Sequence, residues 1–312
     1  MNDQLRLIFL GTGASVPSLR RSLPLLAIQF DGKIILCDCS EGAQMRIARA
    51  GLSPTKIGAI FISHLHGDHI FGLAGFLTSQ QMMSRSQPLM LVSPPGVQKF
   101  LSSLKEISGF AIDYPLKIDE LSGDTENLYY ENYQIKAKLL SHGPSRCYGF
   151  RFIEPQKPGK FDEEKANYLK IPPGPERADL VRGKSIALQD GRIIQPDEVV
   201  GKPHPGRIIT FCTDTIPCPA SIELAENADM LIHDATFSDR QADWANETGH
   251  STARQAAQIA AQANVRQLVL WHISMRNDES EEKEMLQQAQ EEFENTILPA
   301  DFQSMEILRQ SV

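Results

Sequence analysis

The chain has 312 residues, of which 41% are hydrophobic and 22% are charged, and its formal net charge is −8 at pH 7. A chain of this length and composition can bury a large core, either as one large domain or as two small ones. The excess of acidic residues argues against a surface covered in basic residues that would bind nucleic acid. Bound metal ions or a local basic segment would still make the electrostatic potential positive where they lie.

Compartment and membrane association are constrained by the apolar runs and the cysteines. No run reaches the roughly 18–20 apolar residues of a membrane span, and residues 1–13 lack the features of a signal peptide. The five cysteines form no CxxC pair, so we expect reduced thiols and a cytoplasmic protein without membrane attachment. A zinc site at Cys37 and Cys39 is the alternative, but no second cysteine pair lies nearby in the sequence.

The first half of the chain alternates apolar runs with helical patterns. Strands are predicted at 5–10, 25–30 and 33–37, and Asp31-Gly32 between the last two predicts a type I′ hairpin. A helix is predicted over 41–52, followed by a buried strand at 59–63. Further strands are predicted at 88–93, 111–118, 133–140 and 147–153, with helices at 69–83 and 95–107.

Residues 155–205 differ in character because proline, glycine and lysine cluster there. Between 155 and 185 the chain has seven Lys/Arg and five Asp/Glu. We therefore predict one domain spanning 1–312 with an inserted arm at about 155–205.

Regular structure is predicted to resume after the arm. Strands are predicted at 207–214, 228–234 and 266–272, a helix at 252–263 with a Thr252/Gln255 capping box, and an exposed charged helix at 279–296. The alternation of strands and helices predicts an α/β fold or a four-layer variant with helices outside.

The segment ISHLHGDH (62–69) is rich in metal-ligand side chains. His64, His66, Asp68 and His69 fall within six positions, between a predicted strand and a helix that begins near Asp68. Strand-to-helix turns are where ligands and catalytic groups collect. A solvated polar turn is the alternative, and four ligand-type residues in this order argue strongly against it.

Other ligand-type residues follow apolar runs further along the chain. His142, Asp214 and His272 each come at the end of a predicted strand, from which we expect their side chains to meet at one opening of the fold. His250 precedes the helix at 252, a position suited to a catalytic group. We expect His233 to be a supporting or buried structural residue.

The HLHGDH pattern with a later His, Asp and His resembles the metallo-β-lactamase superfamily. Within it, the chain is similar to the ribonuclease Z family, through the PPGP segment, GHST and the terminal His-Ile-Ser-x-Arg. The segments that carry the resemblance are LGTGASVP (10–17), DCSEGAQ (38–44), ISHLHGDHIFGLAGFL (62–77), SHG (141–143), IPPGP (171–175), LQDGRII (188–194), CTDT (212–215), HDATF (233–237), GHST (249–252) and HISMR (272–276).

The resemblance implies a metallo-β-lactamase αβ/βα sandwich, with two packed β-sheets and helices on the outside. It also implies two Zn²⁺ per subunit, with Mn²⁺ or another divalent metal as alternatives. The implied ligands of one ion are His64, His66 and His142, those of the other are Asp68, His69 and His272, and Asp214 bridges the two.

Three positions depart from the family pattern. Ser40 and Thr213 stand where the family usually has glycine, which puts the local turn geometry in doubt. Asp234 stands where the family usually has glutamate, the residue thought to orient the histidine at position 250. Because aspartate is one methylene shorter, we expect that contact to change its geometry or to run through a water molecule.

The implied activity is endonucleolytic removal of the 3′ trailer from precursor tRNA, leaving a 3′-hydroxyl on the tRNA and a 5′-phosphate on the trailer. In a two-metal hydrolysis, Asp68 is the candidate general base. His250, oriented by Asp234, is the candidate that stabilises the phosphate or protonates the leaving oxygen. Arg276 is a candidate phosphate contact, weakly assisted by Ser274, with a surface salt bridge as the alternative for Arg276.

The basic arm is the expected site of tRNA binding, and a solvated loop is the alternative. The family also implies a homodimer in which the arm of one subunit serves the active site of the other. The residues expected to contact tRNA or to stiffen the arm are Lys160, Lys165, Lys170, Pro173, Gly174, Pro175, Arg177 and Arg182.

Two other functions remain open from the sequence. The first is a hydrolase of the same superfamily that acts on a small phosphodiester or ester, which would need no basic, proline-stiffened arm. The second is a catalytically silent RNA-binding or scaffolding protein, which would be expected to have lost some of the ligand residues.

Overall fold

In the computed structural model, residues 4–109 and 111–310 are described. They fall into two compact units. The larger unit comprises the chain up to Phe152 together with Ile208–Ile307, and the smaller unit comprises Ile153–Arg207 together with the chain from Leu308 onward.

Strands and helices alternate through most of the chain. The strands in chain order are β1 Leu5–Gly11, β2 Gly13–Ala14, β3 Leu25–Phe30, β4 Lys33–Cys37, β5 Ile57–Phe61, β6 Leu89–Ser93, β7 Leu116–Glu120, β8 Thr125–Tyr129, β9 Gln134–Leu139, β10 Tyr148–Ile153, β11 Ile186–Ala187, β12 Ile193–Ile194, β13 Ile208–Cys212, β14 Met230–Asp234, β15 Leu268–Trp271, β16 Ile273–Ser274, β17 Thr296–Ile297 and β18 Ser304–Glu306. The α-helices are α1 Ala43–Arg49, α2 Gly67–Ile70, α3 Leu73–Met82, α4 Val97–Ser108, α5 Glu163–Tyr168, α6 Pro175–Val181, α7 Pro219–Ala225, α8 Ala242–Thr248, α9 Ala253–Gln262 and α10 Glu279–Glu292.

Two seven-stranded sheets form the frame of the larger unit. The first has the order β18-β1-β3-β4-β5-β6-β7, and the second has the order β17-β15-β14-β13-β10-β9-β8. Strands β4 to β7 pair in parallel in the first sheet, as do β13, β14, β15 and β17 in the second. Parallel strands bring their carboxyl ends to one edge, so loops after them collect side chains there.

The core of the larger unit is layered. One apolar cluster takes residues from both sheets, among them Phe9, Phe211 and Trp271. A second cluster packs the first sheet against α1, α3 and α4, and a third packs the second sheet against α7, α9 and α10. The layers are therefore helix, sheet, sheet, helix, which confirms the predicted αβ/βα sandwich.

Local sequence signals explain several element boundaries. Asp31 (φ 47°) and Gly32 (φ 73°) both adopt the left-handed conformation between β3 and β4, so the predicted type I′ hairpin is confirmed. The Thr252/Gln255 capping box at the start of α9 is also confirmed. The predicted strand at 111–118 was wrong in its bounds, because the strand begins at Leu116, after Pro115, and runs to Glu120. Strand β8 was not predicted.

The smaller unit has a core of its own. Helices α5 and α6 and the β11–β12 pair surround Ala166, Ile171, Leu180, Ile186, Ile194 and Val199, all buried. Glu154 and Arg207 form a buried ion pair in which the guanidinium donates to both carboxylate oxygens, at 2.8 and 2.9 Å. Among the described residues, no helix is long and apolar enough to cross a membrane.

Candidate metal centre

The first ligand group joins the loop after β5 to the second sheet. His64 Nε2 lies 3.0 Å from His66 Nδ1 and 3.5 Å from Asp214 Oδ2. His142, which follows β9, brings its Nε2 to 3.3 Å from the same His66 nitrogen. One donor atom from each of these four residues lies within 4.8 Å of all the others.

The second ligand group lies on the other side of Asp214. Asp68 Oδ2 is 3.5 Å from the Nε2 atoms of both His69 and His272, and those two nitrogens are 3.3 Å apart. Asp214 Oδ1 is 3.4 Å from each of them. The two oxygens of Asp214 therefore face different ligand groups.

Each histidine holds one ring nitrogen in an outer hydrogen bond and turns the other to the centre. Four Nδ1 atoms have outer partners at 2.8–3.0 Å: His64 with Ser63 Oγ, His69 with Asp38 Oδ2, His142 with the Gly249 carbonyl, and His272 with Thr236 Oγ1. His66 is reversed, since its Nε2 contacts Ser145 Oγ at 3.0 Å.

This arrangement fits a divalent metal site. Metal-ligating histidines almost always fix their second nitrogen in this way. Facing imidazole nitrogens at 3.0–3.3 Å repel through their lone pairs unless a proton or a cation lies between them. The donor set of histidine and aspartate suits zinc, and it also accepts other divalent ions.

The pKa shifts of His64 and Asp68 favour the forms of these side chains that bind metals. Burial lowers the pKa of His64 well below its usual value, with a contribution from the charge of His69. Burial opposes ionisation of Asp68, but hydrogen bonds to His272 and His69 outweigh it, so the pKa of Asp68 is lowered. Neutral imidazole and ionised carboxylate are the forms that bind metals.

The backbone is unusual at three positions of the centre. Asp38 (φ 64°), Asp214 (φ 43°) and His272 (φ 62°) adopt the left-handed backbone conformation, which residues other than glycine rarely adopt. Such strain persists where surrounding contacts enforce it, and it concentrates at functional sites.

Two of the departures from the family pattern are accommodated by hydrogen bonds. Ser40 is buried, and its hydroxyl donates to the Pro24 carbonyl at 2.6 Å while accepting from Arg46. The Thr213 hydroxyl donates to Asp214 Oδ1 at 2.6 Å. Both side chains therefore find room and partners where a glycine was expected.

The third departure, Asp234, contacts His250 directly. Oδ2 of Asp234 lies 2.8 Å from His250 Nδ1, so no water bridge is needed. Thr236 links this pair to the second ligand group, because its hydroxyl donates to Asp234 Oδ1 at 2.7 Å and lies 2.9 Å from His272 Nδ1. Burial lowers the pKa of His250, but the charge of Asp234 outweighs it and raises this pKa to about 9.

The ligand groups open into a cleft of about 420 Å³. His66, Asp68, His142, Asp214 and His250 line it, together with the chain segment 246–249. Asp68 is fixed at the rim, since its Oδ2 accepts from the Ser15 amide at 2.8 Å. The cleft has room for a phosphodiester group.

Ser274 and Arg276 lie on the segment after His272. Ser274 is buried, and its hydroxyl accepts from the Arg276 amide at 3.3 Å. The Arg276 side chain is exposed and packs over the ring of Trp244. A salt bridge, the alternative for Arg276, does not form within the described part of the chain.

The predicted arm residues belong to the smaller unit. Most of them are exposed: Lys160, Lys165, Lys170, Pro173, Gly174, Pro175 and Arg182. Arg177 is half-buried and donates to the Ile171 carbonyl and to Asn167, so it braces the unit internally. Gly174 has φ 140°, which favours glycine, and it directly precedes α6.

Asp38 and Gly249 support the candidate ligands, although no role was predicted for either residue. The Asp38 carboxylate contacts His69 and also accepts from the Ser63 amide at 2.8 Å. The sequence feature that could have indicated this role is the position of Asp38 in the DCSEGAQ segment. Gly249 (φ 79°) ends α8, and a side chain there would approach His142 Nδ1 to 2.9 Å. The sequence feature that could have indicated a role for Gly249 is its position before His250 in the GHST segment.

Known protein families match both halves of the chain. Residues 5–142 match the family description "Anti-Pycsar protein Apyc1", and residues 191–273 match the beta-lactamase superfamily domain. The Ribonuclease Z of Myxococcus xanthus is 39% identical over 293 residues, covering 94% of both chains. The Ribonuclease Z of Methanosarcina acetivorans is 39% identical over 304 residues, covering 97% of this chain and 98% of the relative.

Two solved structures are similar to this chain over nearly its whole length. The short form of human tRNase Z is 26% identical with a TM-score of 0.70, covering 97% of this chain and 99% of that one. YhfI from Bacillus subtilis, a metallo-beta-lactamase fold protein, also has a TM-score of 0.70 at 17% identity, over 97% of this chain and 100% of that one. At that identity, the likeness to YhfI concerns the fold alone.

Proposed function

The chain belongs to the ribonuclease Z family, and from that premise we propose that it is an endoribonuclease that removes the 3′ trailer from precursor tRNA. The products are a tRNA with a 3′-hydroxyl and a trailer with a 5′-phosphate. The observation that carries the proposal is the presence of both complete ligand groups in a chain that matches Ribonuclease Z relatives over nearly its whole length.

We propose two Zn²⁺ per subunit as the resident metals. His64, His66 and His142 would hold one ion, Asp68, His69 and His272 the other, and Asp214 would contribute one oxygen to each. When bound, such ions lower the pKa of water and neutralise charge on a phosphate oxygen.

We assign the proton transfers to two residues of the cleft. Asp68 would accept the proton of the attacking water, because its carboxylate lines the cleft and the Ser15 amide fixes its orientation. His250 would give the proton on Nε2 to the leaving oxygen, since Nδ1 is engaged by Asp234. The buried Asp234 carboxylate accepts from Nδ1 and stabilises the doubly protonated ring, which therefore carries a proton on Nε2 to give.

Substrate binding would use residues beyond the cleft. The exposed lysines of the arm supply positive charge in a chain of net charge −8, which favours contact with the tRNA backbone. We propose that Arg276 contacts a phosphate near the cut. We also propose a homodimer in which the arm of one subunit serves the cleft of the other, as the family relationship implies.

The proposal is tested by incubating the purified protein with an end-labelled precursor tRNA that carries a short 3′ trailer, with and without a chelator. We expect a single cut after the discriminator base that the chelator abolishes. His64→Ala should lose both cleavage and bound zinc while remaining folded, and Lys105→Ala on α4 serves as the control. Absence of cleavage on several precursors, with hydrolysis of a small phosphodiester, would leave a metal-dependent hydrolase with a different substrate.

A further inference from the structure

The two tryptophans of the chain have opposite surroundings. Trp271 is fully buried between the sheets, whereas Trp244 on α8 exposes 48% of its surface. Single exposed apolar residues are common on protein surfaces, so exposure alone assigns no role to Trp244. Its neighbour gives the second observation.

Arg276 packs its guanidinium over the Trp244 ring, with the guanidinium carbon 4.9 Å from the ring centroid. Within residues 4–109 and 111–310, this guanidinium makes no hydrogen bond and no ion pair. Arg254, another arginine on an outer helix, differs, since it binds three carboxylates. The pair of Trp244 and Arg276 therefore presents an aromatic ring and a cation with its donors available to a ligand.

The pair is tied to the metal centre through the backbone on both sides. Helix α8 ends at Gly249, whose carbonyl binds His142, and residues 246–250 line the cleft. The amide of His250 donates to the Ala245 carbonyl at 2.7 Å, one residue after Trp244. Arg276 follows His272 by four residues. A ligand on the pair would lie beside the cleft.

The chemistry of the pair suits an unpaired nucleobase. Bases of single-stranded RNA stack on aromatic side chains and on arginine planes, and the guanidinium fork also matches phosphate oxygens. Asp243 and Glu247 on the same helix are exposed acids, so this surface does not attract polyanions generally. Stacking then supplies the contact, and Arg276 supplies the local positive charge.

We propose that Trp244 and Arg276 form a stacking site for one unpaired nucleotide of the RNA substrate next to the scissile phosphate. This inference rests on the proposed function, because it adds a subsite to the same cleft. It accounts for an exposed tryptophan that takes no part in the proposed proton transfers, and for an arginine whose guanidinium has no hydrogen bond or ion pair among the described residues.

Intrinsic fluorescence tests the proposal without relying on activity. Precursor tRNA with a non-hydrolysable linkage at the cut is titrated into the zinc-loaded protein, so that no cleavage occurs, and tryptophan emission is recorded. We expect quenching in the wild-type protein and its loss in Trp244→Phe, in which Trp271 is the remaining emitter. The emission of buried Trp271 also reports whether each variant is folded.

Steady-state kinetics on precursor tRNA give the second measurement. Trp244→Ala should raise KM about tenfold, equivalent to about 1.4 kcal/mol, with a much smaller effect on kcat. Trp244→Phe should restore most of the affinity, because phenylalanine retains a ring that can stack. Tyr129→Ala is the matched control, since Tyr129 is an aromatic residue on β8 with 76% exposure, and its KM should not change.

The outcomes separate this proposal from the proposed function. If the wild-type protein cleaves precursor tRNA and folded Trp244→Ala does so with the same KM, the stacking site is overturned and the nuclease assignment stands. Tryptophan emission that does not change on addition of RNA but changes with protein concentration would also overturn the stacking site, because a second copy of the chain would then cover Trp244. If the wild-type protein neither cleaves precursor tRNA nor responds to it in emission, both proposals fail.

Discussion

Asp234 and His250 form a direct hydrogen bond, with His250 Nδ1 2.8 Å from Asp234 Oδ2. The aspartate is fully buried, and both of its oxygens are occupied: Oδ2 also accepts from the Thr215 amide, and Oδ1 accepts from the amide and the hydroxyl of Thr236. The carboxylate therefore fixes the histidine ring and the ends of two strands together.

Replacing Asp234 by asparagine should slow the chemical step. Asp234→Asn keeps the size of the side chain but removes the charge that keeps the His250 ring protonated on both nitrogens. We expect kcat on precursor tRNA to fall about tenfold or more, at least about 1.4 kcal/mol of transition-state stabilisation. Bound zinc, measured by mass spectrometry, should stay at the wild-type level. A wild-type kcat would remove His250 from the proposed proton transfer.

Thr236 should tune metal affinity from outside the ligand groups. Its hydroxyl lies 2.9 Å from His272 Nδ1, and Thr236→Val removes that contact while keeping the shape of the side chain. Loss of such an outer partner usually costs about 10–100-fold in metal affinity. Competition with a zinc chelator measures the change. The control is Thr210→Val, another buried threonine, whose hydroxyl binds the Leu224 carbonyl and not a histidine. Equal zinc affinity in both variants would contradict the prediction.

The lysines of the smaller unit should act through charge. Lys165 and Lys170 are exposed, and each phosphate contact steepens the salt dependence of RNA binding. We expect the double variant Lys165→Ala/Lys170→Ala to weaken tRNA binding and to reduce the slope of log affinity against log salt by up to about two. Filter binding at several salt concentrations measures this slope. Lys105→Ala, which removes a lysine from the larger unit, should leave the slope unchanged, and an unchanged slope in the double variant would exclude these two lysines from the tRNA contact.

The buried ion pair of the smaller unit should be sensitive to the loss of either charge. Glu154 is 2% exposed and pairs with Arg207, which is 3% exposed. Glu154→Ala leaves the arginine charge buried without this carboxylate, and breaking such a pair costs about 3–5 kcal/mol. Urea denaturation measures the free energy of unfolding. Glu223→Ala removes an exposed carboxylate that pairs with the half-buried Lys138, and it should have little effect. Similar stability of the two variants would contradict the argument.

The residues of the two candidate ligand groups could be anticipated from the sequence, because the ends of its strands can be recognised there. His64, Asp214 and His272 each follow a buried apolar run, and the parallel pairing of β13, β14 and β15 brings two of these ends to one edge. The outer partners could not be anticipated in the same way. The Asp38–His69 contact joins residues 31 apart, and Thr236–His272 joins residues 36 apart, so both depend on how the loops pack.

Some elements were missed for local reasons. Strand β8 reads TENLY and has no fully buried residue, so it lacks the apolar run used to recognise a strand. The start of β7 was misplaced because Asp113 and Pro115 were included in the predicted strand, and proline has no amide hydrogen to donate within a sheet. Trp244 lies on a short helix with mostly polar neighbours, and its contact with Arg276 joins segments 32 residues apart.

The proposed ligands of each metal ion come from both sheets. His64, His66, Asp68 and His69 follow β5 of the first sheet, whereas His142, Asp214 and His272 follow strands of the second. Bound ions would therefore act as cross-links between the two halves of the sandwich, and their binding free energy would add to the stability of the folded chain. Metal starvation would then shorten the lifetime of the protein in the cell as well as stop its chemistry, since loosened sheets are open to proteases.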